Sequence, residues 1–183
     1  MKKILALGTL SLAFAFTACD DSASGNSGAN DNAGGNAGSS EVKGSFPQGG
    51  DPDFYCIADS GVDKDGNNWS EIRVNIPNYW GHVERITFDA AGNGTQYYED
   101  ANYGLSSVKK GMMCLEFNDE IQKKSAKYDF AETYCENGVS YFIVRFQDVD
   151  VEEDLAPRIE YFKQDCEDYK EQWKAGEYDR YKP

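Results

Sequence analysis

Residues 51–183 predict an α+β domain: an antiparallel sheet of about six strands in the order ββββαββα, with two helices on one face and two disulfides. Short stretches that alternate polar and apolar residues recur between turn signals, which is typical of half-buried strands. Residues 157–174 instead repeat apolar side chains at steps of three and four, the spacing of an amphipathic helix. Four cysteines in this region indicate two disulfides.

Four strands are expected before the first helix, at residues 53–58, 71–76, 83–88 and 95–99. The second alternates strictly and places Ile72, Val74 and Ile76 on one face. The stretch Asp63–Asn67 contains Asp-Gly, which supplies positive φ at low cost, so we expect a hairpin turn there. It does not fit a calcium loop, because the positions that should hold the first acid and the closing Glu are Gly61 and Ile72.

The first helix is expected at residues 106–124, with Ser106 or Ser107 as its N-cap. Its apolar residues form two neighbouring stripes at helical spacing: Val108, Met112 and Leu115, and then Cys114, Phe117 and Ile121. Two further strands follow at residues 130–135 and 139–147. The last strand is apolar on both faces, which favours a central place in the sheet.

The second helix is the clearest element, at residues 157–174. Its apolar stripe consists of Ile159, Phe162, Cys166, Tyr169 and Trp173. Pro157 suits the first turn of a helix, and Gly176 suits the position after its end. Because Cys166 lies within the stripe, we expect it to point at the sheet.

This orientation limits how Cys56, Cys114, Cys135 and Cys166 can pair. Both helical cysteines should face strands, so a bond between the two helices is disfavoured. We expect Cys56–Cys166 together with Cys114–Cys135. Cys56–Cys114 with Cys135–Cys166 is the alternative.

The first eighteen residues have the anatomy of a secretory signal peptide. Lys2 and Lys3 precede an uncharged stretch at residues 4–16, and Thr17-Ala18 supplies small residues for cleavage. Thirteen residues of helix cover roughly 20 Å, less than the hydrocarbon core of a bilayer. A signal peptide at residues 1–18 is therefore predicted.

Phe16-Thr17-Ala18-Cys19 resembles the lipobox of bacterial lipoproteins. The resemblance implies cleavage before Cys19, acylation of its thiol and of the new amino terminus, and a lipid anchor in a membrane of the bacterial cell envelope. Asp20 and Asp21 resemble an inner-membrane retention signal of the enterobacterial type, a rule that varies between bacteria, so the choice of membrane stays open. A plain secreted protein cut after Ala18 is the alternative.

Residues 19–50 are predicted to be the lipidated Cys19 followed by a disordered tether. Residues 20–40 contain only Asp, Ser, Ala, Gly and Asn, so they have too little apolar surface to offset the entropy of ordering. By random-coil scaling the tether reaches about 30 Å from the membrane. Residues 51–183 form the single folded domain.

The charge and composition of the chain limit the classes of partner and cofactor that it can bind. Residues 51–183 hold 28 acidic and 15 basic side chains, a formal net charge of −13. This balance excludes nucleic acid, which requires Lys and Arg, and a second attachment to anionic lipid. The absence of any CxxC pair and the single histidine, His82, disfavour zinc. The sequence predicts no cofactor and leaves a protein or glycan partner unidentified.

Two groups of residues are weighed as ligand sites. Five acids could collect a cation but also suit the start of the second helix: Asp148, Asp150, Glu152, Glu153 and Asp154. Tyr79 and Trp80 are expected on a loop, where with Trp69 they could stack on a sugar or peptide. The leading hypothesis is a non-enzymatic, lipid-anchored binding or structural module. The alternatives are a glycan-binding accessory module and a small carboxylate-based hydrolase, for which no catalytic pair is singled out.

Overall fold

A computed structural model describes residues 52–182. Within this range the elements follow the predicted order ββββαββα, which confirms the fold class. The strands are β1 (Tyr55–Val62), β2 (Asn68–Ile76), β3 (Trp80–Phe88), β4 (Gly94–Asn102), β5 (Asp129–Glu136) and β6 (Val139–Phe146). The helices are α1 (Ser107–Lys124) and α2 (Ala156–Lys174), with a π-helical turn at Val151–Leu155 and a 3₁₀ turn at Asp179–Tyr181. The predicted signal peptide 1–18, Cys19 and the tether 19–50 lie outside the described residues.

The six strands form one antiparallel sheet in the order β1-β2-β3-β4-β6-β5. Helix α1 connects β4 to the far edge, and β6 then returns between β4 and β5. Strand β6, which was predicted to be central, therefore lies inside the sheet, next to the edge strand β5. Cross-strand pairing aligns Val74 with His82 and His82 with Asp100, so these side chains share one face.

The β1–β2 and β3–β4 turns are built alike. Each begins with an aspartate, Asp63 or Asp89, whose Oδ1 accepts hydrogen bonds from the backbone N–H groups two and four residues later, at 2.8–2.9 Å. Each turn also contains a glycine with positive φ, at 86° for Gly66 and 78° for Gly92. The stretch from Asp63 is thus the predicted hairpin turn, stabilised by side-chain-to-backbone bonds.

Both helices pack on the same sheet face. Helix α2 lies over β1 and β2, and α1 lies against β5. The large side chains that fill the core between these layers are Ile76, Met113, Phe117, Phe142 and Phe162. Neither described helix is long and apolar enough to cross a membrane.

Helix α1 corrects one expectation. Ser106 is its N-cap as predicted, but only one side of the helix is buried, through Met113 and Phe117. The predicted stripe of Val108, Met112 and Leu115 is 74%, 54% and 73% exposed. With about 100° between successive residues, this stripe lies opposite the buried side, so it is not part of the core.

The disulfide pairing agrees with the prediction. Cys56 of β1 bonds to Cys166 of α2, and Cys114 of α1 bonds to Cys135 of β5, each with Cα atoms 5.4 Å apart. Since β1 and β5 are the two edge strands, each disulfide fixes one helix to one edge of the sheet.

The two disulfides should differ in their effect on stability. They close chain segments with separations of 110 and 21 residues. In the chain-entropy model Cys56→Ala/Cys166→Ala lowers the free energy of unfolding by about 5 kcal/mol and Cys114→Ala/Cys135→Ala by about 3 kcal/mol. Urea unfolding of the two double variants measures the difference. A larger loss for the shorter link would contradict this ranking.

Candidate functional site

The three aromatic residues predicted as a stacking surface do not lie together. Tyr79 is in the β2–β3 turn, 38% exposed, and stacks on Tyr181 with ring centroids 4.3 Å apart. Trp80 is not on a loop, since it begins β3 on the helix-bearing face. Trp69 lies on the opposite face, where the guanidinium carbon of Arg85 is 4.6 Å from its ring centroid. Strand alternation therefore prevents the two tryptophans from contacting one flat ligand.

The acidic run leads into α2. Asp150 is the N-cap of the π-helical turn, and its Oδ1 accepts hydrogen bonds from the backbone N–H groups of Glu152 and Glu153 at 3.0 Å. Asp148 has a φ of 54°, and its backbone N–H donates to Asn93 Oδ1 at 3.2 Å. Across residues 52–182, no group of three or more Asp, Glu, His or Cys side chains is arranged to hold a metal ion.

A charged network lies between α2 and the central strands. Glu84 of β3 accepts a hydrogen bond from Arg158 Nη2 of α2 at 2.5 Å and from Gln96 Nε2 of β4 at 2.6 Å. The Glu84 and Arg158 side chains are only 12% and 11% exposed. Charge-assisted bonds in such a poorly solvated place are stronger than neutral ones, so this contact fixes α2 to the middle of the sheet.

His82 and Asp100 extend the network along the same strands. His82 Nδ1 lies 3.0 Å from Asp100 Oδ1, which also accepts a hydrogen bond from Trp80 Nε1 at 3.0 Å. The Trp80 ring stacks on the imidazole at 5.2 Å, and the Tyr98 ring meets it edge-on at 4.7 Å. The imidazole is therefore held on three sides.

The surroundings of His82 favour its protonated form. Burial acts to lower the pKa of His82, but the hydrogen bond and charge of Asp100, with the charges of Glu84 and Asp165, outweigh burial and raise it above 6.5. Burial and the nearby charges of Asp168 and Glu84 raise the pKa of Asp165. Because His82, Asp100 and Glu84 are only 8%, 6% and 9% exposed, the network joins α2 to the sheet more than it faces a ligand.

The opposite sheet face carries a row of three tyrosines. The ring centroids of Tyr97 on β4 and Tyr141 on β6 are 5.9 Å apart. Those of Tyr141 and Tyr134 on β5 are 5.1 Å apart, with planes at 17°. The register explains the stack, since Tyr134 pairs directly with Tyr141. The rings therefore form a continuous aromatic surface across three strands.

Each tyrosine hydroxyl donates to a glutamate of the same face. The pairs are Tyr97 to Glu99, Tyr134 to Glu136 at 2.9 Å and Tyr141 to Glu132 at 2.7 Å. The hydrogen bond to Glu132 raises the pKa of Tyr141 to about 12, and that to Glu136 raises the pKa of Tyr134. We call these six residues the tyrosine–glutamate row.

The tyrosine–glutamate row is buried at one end and exposed at the other. Tyr97 and Glu99 are 7% and 1% exposed, Tyr141 is half-buried, and Tyr134 is 40% exposed. The accessible end therefore lies at the edge strand β5, where stacked rings and carboxylates occur side by side. This end can offer an aromatic surface and hydrogen-bond acceptors to one ligand.

Sequence reasoning missed this row, although two sequence signals pointed to it. Tyr97 and Glu99 are two positions apart on the predicted strand 95–99, and Glu136 lies two positions after Tyr134, directly after the predicted strand 130–135. That spacing places a ring and a carboxylate on one face. What the sequence did not reveal is the register that brings Tyr141 between them.

The pH dependence of stability should report on His82. Because its folded pKa is raised, protonation contributes stability that is fully present below pH 6.5 and lost as pH rises through the folded value. The free energy of unfolding should thus fall as the pH rises above 6.5 and should level off once the folded pKa of His82 is passed. His82 is the only histidine, so urea unfolding of His82→Gln should show a flatter profile. An unchanged slope in that variant would contradict the assignment of this pH dependence to His82.

Comparison with known proteins gives no relative. The chain matches no protein-family model, no curated protein and no solved structure. No ligand, partner or activity is therefore carried over to it from another protein.

Proposed function

We propose that this chain is a lipid-anchored protein of the bacterial cell envelope whose folded domain binds a ligand and is not an enzyme. The resemblance of Phe16–Cys19 to a lipobox, after the apolar stretch 4–16, supports the anchor. The two disulfides agree with export, because such bonds persist in oxidising compartments.

The tyrosine–glutamate row is the observation that carries the binding proposal. Its rings and carboxylates are already ordered by mutual hydrogen bonds and by stacking. They also stand on paired strands, which hold side chains more rigidly than loops do. A ligand would thus bind with little further loss of side-chain entropy.

The chemistry of the row defines the class of ligand. Tyrosine rings stack on flat apolar patches and attract cations, and carboxylates accept hydrogen bonds from hydroxyl or ammonium groups. The net charge of −13 in residues 51–183 favours cationic ligands further. A basic peptide presents cations and ammonium donors, and a saccharide presents flat apolar patches and hydroxyl donors.

The saccharide gives the second candidate, a glycan-binding accessory module. The observation that favours it is the near-parallel stack of Tyr134 and Tyr141, with planes at 17°. Such rings form a flat platform beside Glu132 and Glu136, whose carboxylates can accept hydrogen bonds from sugar hydroxyls.

Tyr134→Ala should weaken ligand binding. We expect a loss of about fivefold in affinity, because one exposed ring contributes on the order of 1 kcal/mol by stacking. Isothermal titration against a panel of a lysine-rich peptide and soluble cellulose, chitin and xylan fragments measures it. Tyr161→Ala is the matched control, since Tyr161 is 50% exposed on α2.

Three results contradict the binding proposal. One is that no member of the panel binds, and another is that both variants bind as tightly as the parent chain. The third is turnover of a panel glycan that disappears when a single Asp or Glu is replaced, because this would make the domain a hydrolase.

Cys19→Ser should release the chain from membranes without unfolding the domain. The substitution removes the thiol that the lipobox resemblance marks for acylation, and several acyl chains are needed for stable anchoring. Flotation with cell membranes, followed by thermal unfolding of the released chain, measures both effects. Retention of the processed variant in the membrane fraction would show that the anchor lies elsewhere.

A further inference from the structure

Helix α1 exposes an apolar stripe that nothing in residues 52–182 covers. Val108, Met112 and Leu115 are 74%, 54% and 73% exposed. They point away from Met113 and Phe117, which hold the helix on the sheet. We call the three exposed residues the α1 stripe.

Gly111 lies beside the α1 stripe, and the fold itself does not require it. A Cβ atom built on Gly111 meets no atom within 4 Å. Inside a helix a glycine costs about 1 kcal/mol relative to alanine. A missing side chain next to an exposed apolar stripe leaves room for another helix to approach closely.

The charges beside the stripe favour a second copy of the same helix. Lys109 and Glu116 are both exposed and seven residues apart, so they lie within about 20° of each other on one flank. Two helices packed antiparallel bring the same flank of each together. When Met112 packs against the second copy's Leu115, the second copy's Glu116 lies about 3 Å along the helix axis from the level of Lys109. Their long side chains can therefore meet, and symmetry repeats this contact.

We propose that the α1 stripe docks antiparallel against the α1 stripe of a second copy of this chain. Two other occupants fit less well. Residues 20–40 contain no apolar side chain larger than Ala, so they cannot fill the stripe. The net charge of −13 in residues 51–183 opposes an anionic lipid surface. It also opposes a second copy, but the second copy presents Lys109 beside its stripe to offset part of this repulsion.

The contact is small, so the association is weak in solution. Three side chains from each copy bury less than the about 800 Å² per partner of a standard interface. A shared membrane would raise the effective concentration of the copies. Only this last step rests on the lipid anchor of the proposed function.

Charge-swapped variants test the arrangement by sedimentation equilibrium. The Cys19→Ser chain serves as the parent, so the result does not depend on the anchor. At concentrations up to about 1 mM we expect a monomer–dimer equilibrium that Lys109→Glu or Glu116→Lys weakens about tenfold, since both symmetric pairs become repulsive. Mixing the two variants should restore dimers, because each chain then meets the opposite charges.

The controls separate docking from loss of fold. Leu115→Asn should abolish dimers, whereas Ile57→Thr should not, although Ile57 on β1 is 55% exposed. Thermal unfolding should be the same for the parent and both charge variants. A parent that stays monomeric, a mixture that does not recover, or binding of the Cys19→Ser chain to lipid vesicles through Leu115 overturns the proposal.

Discussion

Each disulfide fixes one helix to one edge of the sheet, and this constraint determines what the two faces of the domain present. Cys56 and Cys135 stand on β1 and β5, the two edge strands, and their side chains point to the same face. Both helices must therefore cover that face. The tyrosine–glutamate row is left on the other, and the outer side of α1 is left without a partner in residues 52–182.

The centre of the helix-bearing face is polar, and this gives α2 a defined position. A purely apolar contact would let α2 slide, whereas the bond between Glu84 and Arg158 at 2.5 Å fixes one point on the sheet. Removing one member of such a buried pair is costly, since the other is left without compensation. His82 and Asp100 add a second polar pair along the same strands. Hence the charged cluster around His82 and Glu84, which most resembles a catalytic site, is explained by its role in holding α2 on the sheet.

The fold could be predicted from one sequence, because the spacing of apolar residues distinguishes strands from helices. Strict alternation placed Ile72, Val74 and Ile76 on the buried face. The position of Cys166 in an apolar stripe disfavoured a bond between the two helices, which left two pairings, and the structure has the one that was preferred. The sites could not be predicted, because periodicity shows which residues share a face and not which face is covered. Thus the α1 stripe was expected in the core, and Trp80 was expected on a loop. The row depends on cross-strand register, and the bond between Glu84 and Arg158 joins residues 74 positions apart.

The central claim is that the sheet face opposite α1 and α2 is the face that binds. The most direct measurement is the ring spectrum of the chain with ¹³C-labelled tyrosine, recorded while the ligand that binds is added. The signals of Tyr134 and Tyr141 should shift together, because their rings stack, whereas that of Tyr161 on α2 should stay in place. Shifts confined to tyrosines of the helix-bearing side, such as Tyr98 and Tyr161, would contradict the claim.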